Sequence, residues 1–199
     1  MYGMINQAIL EYFRDQHGAE TADEVRARAL CEQTQFGSMT QYPDEISYAL
    51  IGAAAEILGQ PADAILEGVG EYWVEFALRS DYADLLRLAG RTLPEMLQNL
   101  DHLHAVLGQS FADLNPPSFW CDEITERSLV LNYASDRAGL GPMVPGLVRG
   151  LGRMLGYKMT IEPVATESGE SMKFAVQFMA RMVTVKSRVQ RLGAAEDAA

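Results

Sequence analysis

Tyr133-Ala-Ser135-Asp-Arg137 is the local pattern with the clearest chemical content. On an extended backbone, alternate residues point to one side. A phenol, a hydroxyl and a guanidinium would then stand together. All three donate hydrogen bonds, the guanidinium as a fork, and such a trio suits a carboxylate. The plainer alternative is a strand end with a polar face. His104 is the second candidate. It lies in Thr92–Leu107, where Leu93, Leu97, Leu100, His104 and Leu107 recur at steps of three and four and share one helix face. A histidine in an apolar stripe is either a core residue bonded to a carbonyl or an axial metal ligand, and spacing leaves both open. His102 lies about 200° round the helix at roughly 100° per residue, on the polar side.

The helix carrying His104 has its own start signal. Thr92 and Glu95 form a capping box, Pro94 falls in the first turn, and Gly108 is the expected stop. Before it, the spacing predicts helices over Met1–Gln16, Thr21–Leu30, from Pro43-Asp44 to Leu58, from Pro61 through Ala77, and a short one after Ser80-Asp81. Cys31–Tyr42 is polar and Gly-containing, a loop. After Gly108 the pattern changes. Asn115-Pro-Pro117 breaks helix. Ser118–Asp122 and Ser128–Tyr133 read as a strand hairpin, Leu140–Leu155 as a helix in which Pro145 must sit in the first turn or make a kink, and Lys158–Val164 and Lys173–Phe178 as strands about a Thr166–Glu170 turn. The expected class is therefore α+β: an N-terminal helical lobe, about residues 1–62, packed on a lobe of about 63–185 with a small antiparallel sheet of about four strands, then a tail at 186–199.

Sixteen basic residues against 27 acidic ones give a net charge of −11, which argues against a phosphate-binding surface and a nucleic-acid partner. The basic group Lys186, Arg188 and Arg191 is too thin to reverse this. Two cysteines, Cys31 and Cys121, make neither a disulfide framework nor a closed zinc site. No run approaches the roughly 20 apolar residues of a membrane span, and no signal peptide is visible, so a reduced cytoplasm is the expected home. Gly-rich phosphate loops, Cys-x-x-Cys and His-Glu-x-x-His are all missing from the sequence.

In this setting the chain resembles the H-NOX family, the haem nitric oxide/oxygen binding domains that include the sensor of soluble guanylate cyclase. The resemblance rests on Met1-Tyr-Gly-Met-Ile-Asn6, Leu97-Gln-Asn-Leu-Asp-His-Leu-His104, Pro117-Ser-Phe119 and Tyr133-x-Ser135-x-Arg137, in that order, over residues 1 to about 180. It implies ferrous haem b buried between the lobes and His104, not His102, as proximal iron ligand. It implies that Tyr133, Ser135 and Arg137 hold the haem propionates, and that Pro117 and Ile5 press on the ring. Oxygen-binding members carry a distal tyrosine early in the helix after the Tyr-x-Ser-x-Arg motif. Here that stretch reads Gly141-Pro-Met-Val-Pro-Gly146, with Pro142 or Met143 in its place. Ile9 and Leu147 would extend an apolar wall. Trp73 is most simply packing, although its indole could donate if it reached the distal side.

The resemblance thus implies a nitric oxide sensor that largely excludes oxygen, with carbon monoxide as a further ligand. It implies a conformational switch and not a catalyst, signalling to a separate protein such as a histidine kinase or a cyclic-di-GMP enzyme. The alternatives are a peroxidase-like haem enzyme and a haem-free interaction module.

Overall fold

The computed structural model describes residues 1–110, 115–165 and 171–180. Along these run α1 (Gly3–His17), α2 (Ala19–Arg28), α3 (Asp44–Leu58), α4 (Ala62–Arg79), α5 (Ala83–Leu88), α6 (Leu93–Ser110), β1 (Ser118–Asp122), β2 (Ser128–Ala134), α7 (Met143–Leu155), β3 (Tyr157–Val164) and β4 (Met172–Ala180). The architecture is α+β, and the four strands form one antiparallel sheet in the order β1-β2-β4-β3. The Thr166–Glu170 turn, the basic group at 186–191 and the tail lie outside the described residues.

Local chemistry accounts for most helix ends. Asp44 and Glu45 put negative charge at the positive end of α3, and Gly59, at φ 63°, closes it by donating its N–H to Ala55. Pro145 sits in the first turn of α7, where its missing N–H costs nothing. That helix starts at Met143, three residues later than its apolar spacing suggests, because residues 138 and 139 form a turn with Gly139 at φ 81°.

The capping box of α6 is present. Thr92 Oγ1 accepts the Glu95 N–H at 3.3 Å, and Glu95 Oε2 accepts the Thr92 N–H at 3.2 Å. Gly108 does not end this helix, contrary to expectation. It is not among the glycines with positive φ, and α6 continues to Ser110. Thr92→Ala should cost about 1 kcal/mol of stability, measurable by urea denaturation. An unchanged midpoint would mean that Glu95, which also accepts the Arg91 N–H, caps the helix unaided.

Two buried clusters lie on either side of α4. Ile9, Phe13, Val25, Leu50, Ile65 and Val69 form one, among α1 to α4. The other joins Leu93, Met96, Leu97 and Leu100 of α6 to Phe119, Leu131, Phe174 and Val176 of the sheet and to Val148 and Leu151 of α7. Helix α4 supplies Val69 to the first and Val74 to the second. It is also crossed closely by α7. A Cβ added at Gly146 would collide with the Glu67 carbonyl oxygen, and one added at Gly70 with that of Met143. Ion pairs of Arg149 with Glu67 and Glu71, and of Arg153 with Glu71, flank the crossing. Among the described residues no single helix is long and apolar enough to cross a membrane.

Candidate functional site

His104 and His102 separate as their spacing predicts: His102 is exposed, while His104 turns into the interior beside Phe119. Its Nδ1–H donates to the Pro117 carbonyl oxygen at 3.0 Å. Burial pushes the His104 pKa down, against the pull of that carbonyl and of Asp101. Burial thus favours the neutral imidazole, and with Nδ1–H given to the Pro117 carbonyl the lone pair of that form lies on Nε2. Among the described residues no group of three or more His, Cys, Asp or Glu could hold a metal ion.

The backbone of the Tyr-x-Ser-x-Arg segment departs from the extended reading. Strand β2 ends at Ala134, and Ser135 Oγ accepts the Arg137 N–H at 3.1 Å, which bends the chain. The shared side expected from a period of two is lost there. The three side chains nevertheless line one cavity. Arg137 Nε donates to Asp44 Oδ2 at 2.7 Å, and Nη1 donates to the Asn115 carbonyl. Burial works to raise the Asp44 pKa, but bonds from the N-terminal ammonium and from Arg137 outweigh it and hold the carboxyl below its usual range.

Around these residues lie two adjoining cavities of about 210 and 200 Å³. Both are lined by Ile5, Trp73, His104, Pro117 and Arg137, and the second also by Ile9, Tyr133, Ser135, Met143 and Leu147. The candidate ligand, the carboxylate donors and the apolar wall thus meet in one place. Of the two candidates for the missing tyrosine's position, Met143 lines the cavity; Pro142 is the N-cap of α7. Trp73 lines both cavities, and its Nε1 is buried with no hydrogen-bond partner among the described residues.

Sequence reasoning missed Leu86 and Leu103, which line both cavities, and Asp44, the partner of Arg137. Leu103 has a signal in its place beside His104. Asp44 has none, since 93 residues separate it from Arg137. Cys121 is a poor nucleophile: burial and the neighbouring Asp122 push its thiol up to about 11.

A helical and sheet lobe enclosing an apolar cavity, with one neutral histidine at its wall and carboxylate donors at its edge, has the form of a haem-binding sensor domain. The family model for haem-NO-binding domains matches residues 2–163, and the chain belongs to that family. H-NOX domains of this family bind haem and sense gases, and they are sensors and not catalysts in themselves.

Soluble guanylate cyclase gcy-31 of Caenorhabditis elegans is 32% identical over 155 residues, 78% of this chain and 22% of that protein. Soluble guanylate cyclase gcy-33 of the same organism is 25% identical over 197 residues, 99% and 20% of the two chains. This chain therefore spans about a fifth of the length of these relatives. In fold it is similar to an H-NOX protein from S. oneidensis in the Fe(II)NO ligation state, with TM-score 0.80 and 14% identity, over 90% of this chain and 99% of that one. It is also similar to an oxygen-binding H-NOX domain related to soluble guanylate cyclases, with TM-score 0.76 and 20% identity, over 89% and 95%.

Proposed function

We propose that this chain is a nitric oxide sensor domain holding ferrous haem b through His104. The observation that carries the reading is the single cavity lined by His104, Pro117, Tyr133, Ser135 and Arg137 together. Haem held there by His104 would supply iron able to take nitric oxide or carbon monoxide. The group fits the residues. Nε2 of His104 is left free by the Nδ1 bond to Pro117, the walls are apolar, and Trp73 keeps an unpaired donor inside. Tyr133, Ser135 and Arg137 bind the propionates, and Pro117 and Ile5 press on the ring. Ile9, Met143 and Leu147 form the distal wall with Trp73.

No tyrosine stands among Ile9, Met143, Leu147 and Trp73; the one donor of that group is the Trp73 indole, which we read as packing, so oxygen is largely excluded: a ligand with partial superoxide character needs a polar donor aimed at it. Purification without air and then exposure to air tests this. The expected spectrum shows no stable oxy complex. A stable one would overturn oxygen exclusion and give the donor's part to the Trp73 indole. A change in how His104 is held would shift the populations of two arrangements of the lobes, about 1–62 and 63–185, and a partner would read the difference. The expected partner is a signalling protein or domain such as a histidine kinase or a cyclic-di-GMP enzyme.

A further inference from the structure

Helix α6 is fastened to the start of β1 by two hydrogen bonds of opposite sense. His104 Nδ1–H donates to the Pro117 carbonyl at 3.0 Å, and the Phe119 N–H donates to Asp101 Oδ1 at 2.9 Å. Asp101 and His104 stand three residues apart on neighbouring turns, so they engage the same short segment. A slide of the helix by one residue, about 1.5 Å, would spoil both bonds. Strand β1 is an edge strand, and Asp101 satisfies a backbone donor there from outside the sheet. The tie also sets a ring. Phe119 lies 5.9 Å from the His104 ring and 5.3 Å from the Tyr133 ring, centroid to centroid. Phe119 and Tyr133 face each other in the β1–β2 register.

From this geometry we infer that Asp101 is a positioning residue for His104, and that it acts through Phe119. This role rests on the reading of His104 as iron ligand, and it explains how that ligand is oriented and which residues move with it. The carboxylate holds the Phe119 backbone, the phenyl ring bears on the imidazole, and the Pro117 carbonyl fixes the ring's other edge. Helix α6 does not swing alone when His104 is released: residues 117–119 travel with it. Through Phe119 the displacement reaches Tyr133 in the propionate clamp.

Asp101→Ala, Asp101→Asn and Phe119→Leu in the full chain test this. In the haem-free protein, Asp101→Ala should speed hydrogen exchange at the Phe119 amide about tenfold or more, since the bond it loses is to a charged acceptor. In the ferrous protein it should shift the iron–histidine stretching band. Asp101→Asn keeps an acceptor oxygen and should return both towards the parent values. Phe119→Leu keeps the backbone tie, so it should shift the band while leaving exchange at position 119 slow. An unmoved band in Asp101→Ala, despite faster exchange, would overturn the positioning role. Unchanged exchange would overturn the tie itself. A parent protein with no iron–histidine band would overturn the reading of His104 as ligand and, with it, the role given to Asp101.

Discussion

Replacing His104 by glycine is expected to give a folded chain that purifies without a Soret band, and millimolar imidazole in the medium is expected to restore one. The substitution removes the one imidazole among the described residues lining either cavity and leaves the Pro117 carbonyl without its donor. Imidazole is small enough to occupy the vacated space, and its N–H can take up the same carbonyl. A group that binds only the folded state stabilises it by mass action, so a hundredfold weaker hold on haem removes about 2.7 kcal/mol of apparent stability. In the rescued variant the iron ligand is no longer joined to α6. Nitric oxide should then leave amide exchange along α6 unchanged, whereas in the parent it should alter it. Full haem retention by the glycine variant without imidazole would sink the assignment of His104. An undiminished response of α6 in the rescued variant would sink the account of signalling by release.

Gly146→Ala is expected to be strongly destabilising, although alanine is the better helix former. The exchange gains about 1 kcal/mol in helix propensity. Against that stands overpacking, typically about 1–3 kcal/mol and occasionally more. At Gly146 the obstacle is the Glu67 backbone carbonyl oxygen, which cannot rotate aside as a side chain can, so the clash wins. A net loss of about 2 kcal/mol or more lowers the melting temperature by roughly 4–8 °C for a chain of this size. Thermal unfolding of the haem-free protein measures it, and a midpoint within a degree of the parent would overturn the account. Gly52 is the control. It too lies inside a helix, but a Cβ there meets nothing within 4 Å, so alanine should stabilise slightly. The substitution at Gly146 also bears on the cavity, because α7 brings Met143, Val144 and Leu147 to its wall.

Periodicity carried the sequence far wherever one face of an element is buried. The stripe on α6 placed His104 inside and His102 outside, and short strand-like runs about turn residues placed all four strands. It failed where a residue's effect depends on its surroundings. Gly59 takes a left-handed conformation and ends its helix, whereas Gly108 continues one, and nothing in residue type separates them. The extended reading of residues 133–137 took the backbone from the side chains. Ser135 bonds back to the Arg137 amide and bends the chain, yet the three side chains still meet at one cavity. The quoted segments led to the family. They could not reveal Asp44 on Arg137 or the unpaired Trp73 indole, because both arise from contacts between distant parts of the chain.

The pairing of Arg137 with Asp44 bears on how a dianionic ligand would load. The guanidinium already has a counter-ion supplied by α3, so the cavity edge is not a bare positive charge waiting for an anion. An incoming carboxylate must displace that counter-ion or share the fork with it. Loading is then an ion-exchange step, with less net desolvation than charging an empty pocket and correspondingly less selectivity for anions as such. Discrimination falls instead to the apolar walls of the cavity. The same exchange would loosen a tether between α3 and the segment after β2, so that a filled cavity and an empty one would differ in how firmly the two parts are joined.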